Sequence, residues 1–472
     1  MTARSARFHG AASARRRLGA ASARRITERL HLQKSEIMHV LPLVILGYAT
    51  LIPPEVHVTI SGLSFYVYRV LLYALAPIIL RRAYLNLHRF NWWDLAILAS
   101  ALMLPVSIWV NNSFAEALES GMSVTIDLAL TYLLARSTIR TTRDFQAFLI
   151  MMAPGLALAG LTLMVESLSR EFIVRPVMAS IFGSSEIVGV KYYYRLGLLR
   201  AYGPFSHPIL AGLHLGVFLS MFWFAVKNPT YRFLGLAAGA MGFFTLSSGA
   251  LIAIGISAGL IAYHRVQQLV VGLNWKHFFI LAIVGLIILQ FGSQNGAVSV
   301  VSRYLTFDSA TASYRIGIWD YGTISVQNHP LFGVGLNEWE RAQWMMVHDT
   351  IDAHFLWMAV RFGLPASLLL FVSSIAIMFK LGQRVSELPL SVERETRVGI
   401  IIALFAIVLM MFTVTLFGST QIIFYITLGG AASLASANIV VRRASVERTE
   451  PAEPAPQTAS FSGKPPYVPS GA

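Results

Sequence analysis

Cysteine is absent from the 472 residues and charge is scarce, with Asp, Glu, Lys and Arg together making 13% of the chain. Without cysteine there is no disulfide, no thiolate metal site and no cysteine nucleophile. Soluble domains usually carry about 25% charged residues, so a chain this poor in charge cannot cover itself with a solvated surface. Acidic residues are the scarcer kind, 23 against 37 basic ones, for a formal net charge of +14. Strict alternation of apolar and polar residues is lacking too, which excludes a transmembrane β-barrel. What the sequence has instead is 56% hydrophobic residues and a mean hydropathy of +0.62, gathered into long apolar runs. Such runs can cross a hydrocarbon core of roughly 30 Å. Backbone groups in lipid must bond within their own segment, so each run is expected to be a helix.

Twelve spans are expected, near 37–53, 62–80, 94–111, 117–135, 145–165, 206–226, 233–247, 249–264, 277–293, 353–379, 398–417 and 420–441. The fold class is therefore an all-α membrane protein with about twelve transmembrane helices. Glu116, Glu119 and Asp127 punctuate the fourth run, and the seventh and eighth are joined by almost no loop. If the N-terminus is cytoplasmic and the spans alternate, the cytoplasmic segments hold 27 of the 37 basic residues. Eight fall outside and two, Arg69 and Arg361, within spans. Cytoplasmic loops attract Lys and Arg, so this asymmetry supports an even number of crossings of the bacterial inner membrane, with both termini in the cytoplasm. Three regions result: a basic cytoplasmic tail (1–36), the membrane domain (37–441), and a Pro-, Ser- and Ala-rich tail (442–472) expected to be disordered. The first apolar run starts too late for a cleavable signal and reads as a retained span. Arg15, Arg16, Arg17, Arg24 and Arg25 in the first tail suit anionic lipid headgroups, so the positive charge requires no nucleic acid.

Two outer loops are long, near 166–205 and 292–352, and they hold all eight outer cations: Arg170, Arg175, Lys191, Arg195, Arg200, Arg303, Arg315 and Arg341. Cations kept where the inward bias disfavours them point to an anionic ligand. In the first loop Lys191, Arg195 and Arg200 lie among Tyr192, Tyr193, Tyr194 and Tyr202, just before His207. Arginine forks phosphate oxygens, while tyrosines either stack on sugars or form an interfacial belt; both readings stand. In the second loop Tyr314, Ile316, Ile318, Trp319 and Ile324 have helical spacing and suit an interfacial helix. A tight loop follows at His329, Pro330, Gly333 and Gly335; no strand or Walker spacing surrounds its glycines, so it is not read as a phosphate cradle. His348, Asp349, Asp352 and His354 cluster where the chain re-enters the membrane, and metal binding, structural hydrogen bonding and general-base catalysis are all open to them. Neither a strand nor a helix brings all four to one face.

Four pieces of this pattern occur in a fixed order: R-x-x-G-x-x-x-x-P at Arg200, Gly203 and Pro208; YRIGIW around Arg315; HPLFGVGL from His329 to Leu336; and Leu356, Gly363 and Pro365. Over roughly Arg200 to Leu370 the chain resembles the bacterial O-antigen ligase and O-antigen polymerase superfamily. The resemblance implies a metal-independent, inverting glycosyltransferase of the GT-C class that needs no cofactor. Its donor would be an undecaprenyl-pyrophosphate-linked oligosaccharide at the periplasmic face, and its acceptor a glycan or a lipid, with a chain-length regulator protein as a further partner. Carried over by position, Arg200 and Arg315 would bind the pyrophosphate, joined by Lys191, Arg195 and Arg361. Tyr194, Tyr202, His207, Trp319 and His329 would line the substrate. The sequence departs from the family in two places. The register of the family's His-Asn pair falls on Asp352 and Ala353, leaving Asp352, His348 and His354 as alternative bases. The family's Ser-Arg-Gly turn reads Ser247-Ser248-Gly249, so one outer cation is missing. The Asp-for-His register and the basic extension lean toward an exopolysaccharide polymerase over a ligase acting on lipid A core. A lipid-glycan flippase or transporter is the competing class; against it, few charges lie in the spans (chiefly Arg69, Asp127 and Arg361) and no internal repeat is evident.

Overall fold

The computed structural model describes residues 34–60, 63–182, 191–270, 272–273, 275–292, 309–345, 350–437 and 471. His348, Asp349, Arg303 and nearly all of both tails lie outside these residues. The chain divides into two units, Met1–Ala437 and Asn438–Ala472, and every described helix and strand belongs to the first.

The fold is mostly helical, with two short antiparallel hairpins and no closed sheet among the described residues. Helix α1 (Lys34–Ala49) leads to the hairpin β1 (His57–Ile60) and β2 (Leu63–Tyr66), then α2 (Val67–Leu85) and α3 (Trp92–Asn111). A helical turn at Phe114–Glu116 and a π-type turn at Ala117–Gly121 run into α4 (Met122–Thr138), followed by α5 (Thr142–Ser169) and the short α6 (Val174–Phe182). After the hairpin β3 (Tyr194–Arg195) and β4 (Leu198–Leu199) come α7 (Pro208–Ala225), α8 (Pro229–Met241), α9 (Ser248–Leu269) and α10 (Trp275–Gly292). The chain closes with α11 (Ser309–Asn328), α12 (His354–Phe362), α13 (Leu364–Glu387), α14 (Val392–Met410) and α15 (Gly418–Ser436).

Local chemistry sets several helix starts. Asn91 with Asp94, and Thr141 with Asp144, form capping boxes that satisfy the first amides of α3 and α5. Pro208 and Pro229 open α7 and α8, where a missing N–H does no harm. Helix α7 is deeply enclosed, packed by α8, α9 and α14, and α15 is likewise buried against α4 and α13. Small residues permit the closest approaches: a Cβ at Gly399 of α14 would lie 2.9 Å from Ser220 O of α7, and one at Gly429 of α15 would lie 2.6 Å from Tyr132 O of α4.

Among the described residues five helices, α3, α5, α7, α9 and α13, are long and apolar enough by themselves to cross a membrane. Helix occupies part of each of the twelve expected stretches, but several are shortened or interrupted. Helix α8 has 13 residues, and α14 opens on a charged turn with Glu393 and Glu395. The stretch expected as one span at 353–379 is two helices, broken at Gly363, whose φ of 93° only glycine adopts readily. The second stretch does not begin as helix either, since Leu63–Tyr66 is strand.

Hydrogen bonds sort the connections into two ends. At one, His39 meets Thr138 O at 2.8 Å, and Arg136 pairs with Asp94 at 2.7 Å and reaches Ser436 and Arg89 O. His264 and Glu395 are 3.4 Å apart at the far ends of α9 and α14. At the other end Arg175 pairs with Glu55 at 2.6 Å, Asn111 Nδ2 donates to Phe332 O at 3.1 Å, and Thr415 Oγ1 donates to Ile351 O. The long loops are joined only to this second end among the described residues.

Candidate functional site

Besides the Arg175–Glu55 pair, one buried carboxylate ties both ends of the first long loop together. Glu166 lies one turn before the end of α5 and is 1% exposed. Its Oε1 accepts from the amides of Ile173 and Val174 at 3.1 Å each, and its Oε2 from those of Tyr202 and Gly203 at 3.2 and 2.8 Å. The start of α6 and the return of the loop are thereby tied to the same side chain. Gly203 makes the turn with φ 53°, and a Cβ there would meet Thr162 Oγ1 at 2.9 Å.

This frame presents two arginines. Arg195 Nη1 donates to Leu246 O at 2.8 Å, and Arg200 Nε approaches Thr245 O at 3.5 Å. Both carbonyls belong to the turn before α9, the one whose Ser248 replaces an expected cation; Arg195 brings a cation there from the first loop. No carboxylate pairs with Arg200 among the described residues. Burial, and then the charge of Arg195, push the Arg200 guanidinium down to about 10. His207 caps α7 through its Nδ1, which accepts from the Ile209 amide at 3.2 Å. Tyr202 does not line an open surface: it is 3% exposed and packs with Phe172 and Leu199 beneath the loop. Lys191 and Tyr194 are exposed.

The second loop supplies another group. Arg315 on α11 is 6% exposed, and its Nε is buried without a hydrogen-bond partner among the described residues. Burial lowers its pKa, opposed by the half-buried carboxylate of Asp352. Trp319, one turn on, donates from Nε1 to Phe412 O at 3.2 Å and stacks on the Phe412 ring. His354 begins α12, is fully buried, and lies with its ring on that of Trp357 at 5.4 Å between centroids. The connection between α14 and α15 thus carries α11 and the re-entering chain on one side.

The tight loop at 329–337 has a structural part. Val334 N donates to Val360 O at 2.8 Å, Gly335 N to Arg361 O at 2.9 Å, and Leu364 N to Pro330 O at 2.8 Å. Arg361, expected near the pyrophosphate, donates from Nη1 to Gly335 O and Asn337 O at 3.2 and 2.6 Å and so clamps the loop. His329 at its start is exposed. A Cβ at Gly363 would lie 2.0 Å from Leu331 O. Gly363→Ala is therefore expected to lower stability by about 1–3 kcal/mol from backbone strain alone. Gly382→Ala, which meets nothing within 4 Å in mid-helix α13, is expected to stabilise slightly. Thermal unfolding in one detergent compares the two; equal melting temperatures would remove Gly363 as the cause of the helix break.

A cavity of about 350 Å³ touches both groups, through Pro204 and Ser206 on one side and Trp357 on the other. Its wall is apolar apart from a few groups, chiefly Arg69 and Asp127, paired through two hydrogen bonds of 3.1 and 2.6 Å. Arg69, which the sequence places within a span, both lines this cavity and pairs with Asp127. Glu166 and the Arg69–Asp127 pairing were not singled out in advance. The only signal for them was an acidic residue within or at the end of an apolar run. Among the described residues no three His, Asp or Glu side chains gather as metal ligands.

No curated protein matches the chain. Residues 233–371, from α8 into α13, match the family model for O-antigen ligase. The matched stretch contains Arg315, Trp319, His329, Asp352, His354 and Arg361, while the Arg195–Arg200 hairpin precedes it. Residues 233–371 are thus similar to an O-antigen ligase domain, and the long apolar helices around and within that stretch make the chain a multi-pass membrane protein.

Proposed function

We propose that this protein is an inverting, metal-independent glycosyltransferase of GT-C type that takes a glycan from undecaprenyl pyrophosphate at the periplasmic face. In this reading the chain crosses the bacterial inner membrane twelve times with both termini in the cytoplasm. The observation that carries it is the pair of guanidiniums at the loop end. Arg200 lacks a paired carboxylate among the described residues, and Arg315 keeps a buried Nε without a partner. A cation buried like Arg315, or half-buried like Arg200, is expensive unless an anion meets it, and a pyrophosphate would meet both.

In the reaction the acceptor hydroxyl attacks the anomeric carbon from the face opposite the pyrophosphate, and the bond from that carbon to the phosphate oxygen breaks. The proton passes to the base and the electron pair to the leaving undecaprenyl pyrophosphate. Arg200, Arg195 and Arg315 offset the charge that grows there, a stabilisation stronger in the transition state than in the ground state. Asp352 is the base we favour, because it faces Arg315 while His354 is enclosed by aromatic rings. The apolar cavity beside Pro204 and Trp357 would take the first isoprene units of the carrier.

The acceptor we favour is another lipid-linked repeat unit, which makes the protein an exopolysaccharide or O-antigen polymerase, with a chain-length regulator as its partner. The grounds are Asp352 in the His-Asn register and the basic N-terminal extension. Deleting the gene tests this. A single repeat unit accumulating on its lipid supports polymerisation, whereas complete polymer left on the carrier makes the protein a ligase. Reconstituted protein that moved a labelled lipid glycan between leaflets, with no new glycosidic bond, would replace both with transport.

A further inference from the structure

At the end opposite the long loops, α8 and α9 each bring a guanidinium to one indole of α7, with a lysine close by. Trp223 lies in the last turn of α7. Arg232, from the start of α8, sets its guanidinium 4.7 Å from the Trp223 ring centroid, and Arg265, near the end of α9, lies 5.9 Å from the same ring. Lys227, between α7 and α8, is within electrostatic reach of both. Like charges so gathered repel one another, and at Lys227 the carboxylate of Glu395 opposes that repulsion. Glu395 of α14 faces Lys227 and Arg265, but its Oε1 lies 3.4 Å from His264, which also meets Gln268 at 3.2 Å and stacks on Trp275. Neither arginine nor Lys227 has a carboxylate within ion-pair distance among the described residues, although Arg397 nearby has Glu393 at 2.8 Å. The Nε of Arg232 is buried without a hydrogen-bond partner among the described residues. Burial pushes the Lys227 ammonium down as well, with the two arginines adding to it.

The surroundings select an amphipathic anion over a soluble one. Phe233, Val266 and Leu269 lie next to the cations in sequence and are 70%, 44% and 83% exposed. Guanidiniums stacked on an indole at helix ends sit where headgroups give way to acyl chains. We infer that Lys227, Arg232 and Arg265 form a binding site for the phosphodiester headgroup of an anionic phospholipid, whose acyl chains lie along Phe233, Val266 and Leu269. Each arginine offers a planar fork to phosphate oxygens and Lys227 a point charge. The inference rests on the membrane-spanning reading, not on glycan transfer, and its test reads no transfer activity.

The full-length protein in neutral detergent is titrated with phosphatidylglycerol or phosphatidylcholine, and retained lipid is counted by native mass spectrometry. Phosphatidylglycerol is expected to be retained in preference, and Arg232→Gln/Arg265→Gln to reduce its retention roughly tenfold. Arg81→Gln/Lys380→Gln, which removes the same charge elsewhere, is expected to leave retention unchanged. Glu395→Gln, which takes away the carboxylate facing the cluster, is expected to raise it, and gives a reading even if the double arginine variant fails to fold. Equal losses in the two double variants, no rise in Glu395→Gln, or release of the lipid by millimolar inorganic phosphate would each overturn the site.

Discussion

Arg315→Ala is expected to reduce glycan transfer by about 10²–10³-fold, the loss usual when one preorganised donor to a developing oxyanion is removed. The guanidinium is nearly buried, its Nε–H has no hydrogen-bond partner among the described residues, and a half-buried carboxylate lies nearby. A leaving pyrophosphate gains charge as the glycosidic bond lengthens, so the lost contact is strongest at the transition state. The fall should therefore appear mainly in kcat, with KM changed far less. Arg315→Lys keeps the charge but not the fork, and should recover only a small part of the rate. Membrane vesicles supplied with the lipid-linked donor give the measurement, with melting in detergent as the check on folding. If Arg315 only held α11 in place, Arg315→Lys would restore both melting and transfer. Full activity in the lysine variant would end the pyrophosphate assignment.

The sequence reveals this site unevenly, for physical reasons. Hydropathy locates helices because burial in lipid acts on each run separately, and α5, α7 and α9 follow the expected stretches closely. The displaced cations were visible as well, since charge bias is a property of composition along the chain. The break at Gly363 was not visible, because it depends on Leu331 O, roughly thirty residues away in sequence, approaching the backbone there. The clamp made by Arg361 was not visible for the same reason: the carbonyls of Gly335 and Asn337 that engage it are brought near by folding. The short turn read as missing a cation gains one from Arg195, which a linear reading cannot connect to Leu246. Helices and charge bias are local; what organises the loops is not.

Glu166 is the strongest example, and its loss is expected to disable the protein without touching substrate. Four amides converge on one buried carboxylate, two from the start of α6 and two from Tyr202 and Gly203. In Glu166→Ala all four lose their acceptor, and each buried donor so orphaned costs about 1–3 kcal/mol. The penalty falls on the segment between Ile173 and Gly203, so the loop should open locally while the helices stay packed. Arg200 is three residues from Gly203, and a shift of about 1 Å in a group that meets the transition state can cost ~10²-fold in rate. Glu166→Gln keeps one acceptor oxygen but turns its NH2 group toward two donors, so its transfer should fall between wild type and alanine. Trypsin added at the loop face of the membrane reads the opening at Lys191 and Arg195, and hydrogen exchange reads it at the Tyr202 and Gly203 amides. Opening and loss of transfer should rise together from wild type through glutamine to alanine. Transfer lost with the loop still protected would instead place Glu166 in the chemistry, and a protected, active alanine variant would remove the carboxylate from any part in holding Arg200.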